Sequence, residues 1–224
     1  MIPVVPYQDG TFNPYPLYTI EATDTETGEV LARTMTVAPT STEIGCTKCH
    51  GGGWRVDGVA GVSDETGRRV LAVHDKINHT TLLAEAEAGK PRLCQSCHPD
   101  PVLKAEGEPG VLSFPAAIHG WHANYLTGRG AEACAYCHPN AEDGATRCLR
   151  GIHADGLDCT DCHGYLEDHA LSLLKKEHEL GKPSAAPLMK HLVPRSVATK
   201  DEVLPRTPWL MEPDCRACHD FEQK

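Results

Sequence analysis

Apolar and polar residues alternate clearly in two stretches near the start of the chain. In residues 17–25, Tyr18, Ile20 and Ala22 alternate with Thr19 and Glu21. In residues 30–38, Leu31, Arg33, Met35 and Val37 fall on one side, and Ala32, Thr34 and Thr36 on the other. A period of two marks a strand, and Thr27-Gly28 between the runs predicts a hairpin turn. This hairpin is the only convincing β structure in the pattern. After it the chain shifts to short helical stretches. Residues 80–88 predict a helix stopped by Gly89 and Pro91. Ser113 stands where it can cap a helix with Pro115 in its first turn, running through Tyr125 to Gly128. Residues 165–180 predict the longest helix, with Leu166, His169, Ala170, Leu173 and Leu174 on its apolar face and Gly181 and Pro183 closing it. Residues 1–16, rich in Pro and Tyr, predict extended chain, and residues 183–213, with six prolines, predict an extended arm.

Composition limits what these elements can bury. The chain has 224 residues, aromatics are only 5%, and there are 20 Gly and 17 Pro. That mixture cannot build a large core from protein alone. The net charge of −10 argues against nucleic acid and anionic membranes as partners. No apolar run approaches the roughly 20 residues of a membrane span.

The cysteines change the picture. Ten of the 11 fall in five copies of Cys-x-x-Cys-His: Cys46/Cys49/His50, Cys94/Cys97/His98, Cys134/Cys137/His138, Cys159/Cys162/His163 and Cys215/Cys218/His219. This is the attachment motif of c-type haem. Two thiols at this spacing reach the two vinyl groups of one porphyrin, and the following histidine is carried beneath the ring to the iron. Zinc ribbons share Cys-x-x-Cys but do not ask for that histidine. Five haem c groups would leave about 45 residues each, so the porphyrins are expected to supply much of the buried surface. The motif starts are 48, 40, 25 and 56 residues apart, which argues against a tandem repeat. Cys148 is left without a disulfide partner in its own chain and is read as a buried free thiol or a link to another chain.

Each iron has one further position, and what fills it sets the function. Eight histidines lie outside the motifs: His74, His79, His119, His122, His153, His169, His178 and His191. The candidate distal ligands are His74, His119, His122, His153, His169 and His191. His119 and His122 sit three apart on the predicted helix, which suits ligation of two adjacent haems, and Gly120 between them leaves room for a flat ring. His169 lies on an apolar helix face. His178 lies well round the same helix and is read as solvated. His191, in the arm, would serve the fifth haem or a haem of another subunit. Met189 and Met211 are weaker rivals as ligands.

The segments at residues 13–19, 45–52, 116–126 and 168–170 carry a resemblance. With their paired-histidine helix and N-terminal hairpin segment, they resemble the OmcE-type extracellular multihaem cytochromes, which polymerise into conductive filaments. The likeness covers roughly residues 12–175. It implies bis-histidine haems in a continuous stack, little regular secondary structure, and one distal ligand donated by the next subunit. Those proteins carry four haems, and the fifth motif here stands as an addition.

The expected fold is therefore a multihaem cytochrome c, mostly loops and short α-helices wrapped around a haem chain with a small N-terminal β-hairpin. It is read as a single domain over 1–224: extended segment and hairpin in 1–40, four-haem core in 41–180, Pro-rich arm and fifth haem in 181–224. The expected function is electron transfer rather than enzymatic turnover. The partners would be identical subunits in a homopolymer, and redox proteins or extracellular electron acceptors. A monomeric periplasmic or surface carrier shares every motif. A multihaem reductase would need an open iron and usually a motif ending in another residue, whereas all five motifs end in His. Haem of this type is attached outside the cytoplasmic membrane, so export is expected, to an extracellular filament, the cell surface or the periplasm. Residues 1–6 lack the basic start and apolar stretch of a signal peptide, and the numbering is expected to begin near the mature end.

Overall fold

The computed structural model describes residues 7–8, 11–12, 17–37, 46–52, 55–56, 59–60, 64–101, 104–138, 152–208 and 218–219. These belong to two compact units, one formed by residues 2–91 and 135–154, the other by 92–134 and 155–224. The expected combination of short helices with a small antiparallel hairpin is what the chain forms.

In the first unit the hairpin pairs Leu17–Thr23 with Val30–Val37. Its turn is wider than Thr27-Gly28 predicted. Asp24 closes it by accepting from the backbone N–H of Glu26 and Thr27, at 2.9 and 2.7 Å, and Gly28 takes φ +73. An Asx turn of this kind competes well with a two-residue turn because one carboxylate satisfies several N–H groups. The register sets Ile20 opposite Thr34 and Thr19 opposite Met35. The apolar residues of the two strands therefore lie on opposite faces, and Ile20, Leu31 and Met35 are each more than half exposed. Two further antiparallel pairs, Tyr7–Gln8 with Thr11–Phe12 and Arg55–Val56 with Val59–Ala60, were not legible in the pattern.

Helix α1 (Thr47–His50) packs on α2 (Asp64–Asn78), where the buried Thr66 donates to the carbonyl of Gly51. The sequence pattern predicted no helix where α2 lies. Helix α3 (Leu82–Glu87) follows and ends in a Schellman cap: Gly89 N–H to Ala86 O and Lys90 N–H to Glu85 O, with Gly89 at φ +74.

The second unit holds the leucine core. Helix α4 (Phe114–Ala123) crosses α8 (Leu166–Glu179), which has the predicted bounds within a residue and closes on Gly181 with the same Schellman bonds. Leu171, Leu173, Leu174 and Leu192 are fully buried, with Ala116, Ala123, Ala170 and Ala185 beside them. Helix α4 is shorter than predicted and stops at Ala123, where the side chain of Asn124 turns back to Gly120 O and also reaches Leu188 O. Ser113 stands at the N-cap position, but its buried hydroxyl makes no capping bond; its N–H is held instead by Glu177 at 3.1 Å.

The predicted extended arm folds back on its own unit. Residues 185–208 form a short helix α9 (Ala185–Met189) and a series of turns fastened to α8. Asp168 accepts from the N–H of Arg195 and of Ser196 and from the Ser196 hydroxyl. Lys175 Nζ donates to the carbonyls of Lys200, Asp201 and Val203, and Arg206 N–H reaches Ser172 O. Polar side chains of α8 thus fasten the arm alongside the apolar contacts that Ala185, Leu192 and Val203 make in the core.

Candidate haem-binding site

The motifs share a local geometry. In the first two, the histidine N–H bonds the carbonyl of the first cysteine at 2.9 Å, and the second cysteine N–H bonds the same carbonyl at 3.2 Å. A single helical turn results, and positions i and i+3 on such a turn are neighbours. The fourth motif is the helix α7 (Cys159–His163), entered through a capping box between Asp158 and Asp161. In the third, Cys134 and Ala135 belong to α5 (Glu132–Ala135), followed by Cys137 and the half-buried His138. Cys218 and His219 of the fifth are exposed, while Cys215 and Met211 lie outside the described residues, as does Cys148.

The motif alone does not distinguish the two thiols of a pair, and the fold does. In the first and fourth motifs the first cysteine is half-buried, whereas the second, Cys49 or Cys162, is exposed. The second motif reverses this order: Cys94 is exposed and Cys97 half-buried. The reason for the reversal lies outside the motif. Glu108, 11 residues on, lies over the second thiol, and Cys97 Sγ donates to its Oε1 at 3.1 Å. A thioether at Cys97 would consume the proton of that bond, so Glu108 would have to find another donor. Cys49 and Cys162, on the open side of their turns, are accessible for attachment without such a change.

Loss of water around the sulfur pushes the half-buried Cys46 thiol up from the ordinary range. Cys134 and Cys159, the first cysteines of the third and fourth motifs, are hydrogen-bonded to one another. That bond raises Cys134 and brings Cys159 down to about 7.

The histidines show a recurrent second bond. His98 Nδ1 lies 2.9 Å from Leu112 O, His119 Nδ1 2.8 Å from Pro115 O, and His122 Nδ1 2.8 Å from Ile118 O. A carbonyl only accepts, so Nδ1 carries the proton in each, and the lone pair of the neutral ring is on Nε2. Metal-ligating histidines are oriented in this way, by an N–H bond from the nitrogen that does not bind the metal. The donor set of these three residues fits an axial ligand to iron. The loop that supplies Leu112 O is fixed by Gly107, at φ +61, where a Cβ would lie 2.4 Å from Pro99 N.

His119 and His122 do share one helix, but the flanking glycine has another role. A Cβ at residue 120 would come 3.0 Å from the methyl carbons of Leu174. Gly120 thus lets α4 press against α8, and its face holds a leucine where the sequence reading placed a flat ring.

His169 is half-buried and meets His119 edge to face, with centroids 4.5 Å apart; the His163 centroid is 6.3 Å away. Two imidazoles that share one metal, each nitrogen about 2 Å from it, have centroids about 6 Å apart. Arg206 Nη2 lies 2.6 Å from His169 Nδ1. Arginine only donates, so this Nδ1 accepts and the neutral ring carries its proton on Nε2, the reverse of the other three. Ligation through Nε2 would require Arg206 to leave that nitrogen.

His74 and His153 stand on α2 and α6 (Ile152–Gly156). His74 is half-buried and His153 exposed. His191 is exposed in a cleft with Thr127, Gly128, Glu167, Val193 and Arg195. His178 is exposed on α8, as its place on the helix suggested, and His79, also exposed, takes φ +56 at the turn between α2 and α3. The sequence reading did not single out Arg206, Glu108, Asp75 or Thr80. Thr80-Thr81 before an apolar helical run was the available signal for the last.

Among the described residues no three His, Cys, Asp or Glu side chains gather where they could hold a metal ion. Among them too, no helix is long and apolar enough to cross a membrane. No protein-family model matches the chain, and neither does any curated protein or solved structure. The resemblance to the filament cytochromes rests on the segments that prompted it.

Proposed function

We propose that this chain is a multihaem cytochrome c that carries electrons through five covalently bound, bis-histidine haems. The observation that carries this reading is the fivefold Cys-x-x-Cys-His motif, in which every copy ends in histidine. The carbonyl-bonded histidines support it, because that arrangement presents Nε2 as the metal-binding nitrogen. Haem, when bound, supplies a one-electron iron couple. The chain's own residues would attach it through paired thiols, hold His98, His119 and His122 in the tautomer that offers Nε2, and space the sites. The contact between Cys134 and Cys159 favours close spacing of the third and fourth haems. The centroid spacing favours His163 and His169 as residues that would hold the same iron, once Arg206 leaves His169 Nδ1.

We also propose that the chain polymerises. The hairpin has no Cys or His and exposes apolar side chains on both faces, which suits contact with a neighbouring subunit. A heterologous contact that does not close gives an open filament. His191, exposed in its cleft, is the candidate distal ligand for a neighbour's haem. The fold of the arm favours the second reading, a monomeric carrier, because residues 185–208 are engaged with their own α8. Export to the cell surface or beyond goes with the first reading, and the periplasm with the second.

Electron paramagnetic resonance tests electron transfer against catalysis. Five low-spin bis-histidine signals are expected, and a substantial high-spin ferric fraction would remove the reading. Electron microscopy at high protein concentration separates filament from monomer.

A further inference from the structure

We infer that Asp75 and Thr80 tune the iron that His74 ligates, lowering the potential of its haem. The inference rests on the haem reading above, with His74 as a distal ligand. Asp75 Oδ1 lies 2.5 Å from the Thr80 hydroxyl oxygen, and His74 Nδ1 lies 3.0 Å from that same oxygen. A hydroxyl has one proton. The Asp75 carboxylate, an acceptor only, takes it, so the threonine oxygen accepts from His74 and Nδ1 is the donor. The chain of bonds runs from the imidazole N–H to the hydroxyl to the carboxylate, and the lone pair of the neutral ring is on Nε2.

His98, His119 and His122 end their Nδ1 bonds on neutral carbonyls. His169 is bonded to a cation. The His74 bond, by contrast with these, is passed through Thr80 to the negative charge of Asp75. Such a partner makes the imidazole a stronger donor to the metal, which favours Fe(III) over Fe(II). The iron gains or loses one electron, and the relay holds its two protons throughout. Asp75 is itself fixed by the N–H groups of Leu82 and Leu83, both at 2.9 Å. The left-handed turn at His79 brings Thr80 back over His74, and Asn78 Nδ2 ties the turn to His74 O at 3.2 Å.

The test uses the full haem-loaded chain. Pyridine haemochrome counts its haems, and spectroelectrochemical titration resolves its one-electron components. Thr80→Val removes the relay while leaving Asp75 on Leu82 and Leu83. It should keep five haems and shift one component upward by about tenfold in its reduction equilibrium, about 59 mV for one electron. Asp75→Asn should shift the same component upward, and Thr80→Ser, which keeps the hydroxyl, should leave it in place. A purely structural role for Thr80 would not single out one potential. Five unmoved potentials in Thr80→Val, or a His74→Ala chain whose five irons all stay low-spin and closed to carbon monoxide, would overturn the inference and leave the cytochrome reading intact. A wild-type chain without covalent haem would instead overturn that reading itself.

Discussion

Leu174 of α8 lies against Gly120 of α4, its methyl carbons 3.0 Å from where a Cβ at residue 120 would sit. The contact joins the helix that carries His119 and His122 to the one that carries His169. Gly120→Ala should overpack it at a cost of about 1–3 kcal/mol. Thermal unfolding of the single variant, and its partial rescue by Leu174→Ala, would check this. An unchanged midpoint in Gly120→Ala would mean that the helices can separate freely.

His119 and His122 repeat the same bond to the carbonyl four residues back, so each ring is held independently of the other. If they serve two different haems, His119→Ala and His122→Ala should each open one iron to carbon monoxide, and the double variant should open two. His178→Ala should open none, since that ring is exposed on α8. Optical titration with carbon monoxide counts the opened sites, and a double variant with one open site would refute the two-haem assignment.

Glu177 is buried, ion-paired to Lys182 at 2.8 Å and bonded to Ser113 N–H. Removal of the carboxylate leaves a largely buried ammonium and an amide without this acceptor. Glu177→Ala should destabilise the unit by about 3 kcal/mol. Urea unfolding measures the loss, and a change under about 0.5 kcal/mol would place Glu177 among ordinary surface residues.

Asp24 is held below the usual carboxylate range by the N–H groups of Thr27 and Glu26 and by the Thr27 hydroxyl. The unfolded turn therefore binds a proton more readily than the folded one. The contribution to the turn is full above about pH 4 and is lost as the pH falls through the lower folded value. The protection of the Glu26 and Thr27 amides against hydrogen exchange, taken relative to the intrinsic rate at each pH, should fall in acid, and Asp24→Asn should abolish that pH dependence. Protection that is flat across this range would rule the mechanism out.

The hairpin makes the polymer reading testable. Deletion of residues 1–38 should leave five attached haems and abolish filaments in micrographs. Filaments that persist after the deletion would move the subunit contact elsewhere. A full-length chain that stays monomeric by light scattering at high concentration would leave the soluble carrier.

The sequence by itself determined what depends on short-range covalent spacing and local periodicity. Cys-x-x-Cys-His fixes two thiols and an imidazole within one turn, whatever surrounds it. The 3.6-residue pattern and Gly181 set α8 almost to the residue, and alternation set the hairpin strands. The tertiary structure decided what depends on partners distant in sequence. Turn width at Asp24 chose the register that put the apolar residues of the two strands on opposite faces. Leu174, 54 positions from Gly120, decided what that glycine faces. Glu108 decided that Cys97 is engaged while Cys49 and Cys162, at the same motif position, stand open. Nothing in the sequence marks partners for Asp168, Lys175 and Glu177, yet each is spent on an N–H, a carbonyl or an ammonium from another segment. The same holds for the imidazoles: which nitrogen is offered to a metal is set by the carbonyl, hydroxyl or guanidinium that folding brings to the other one.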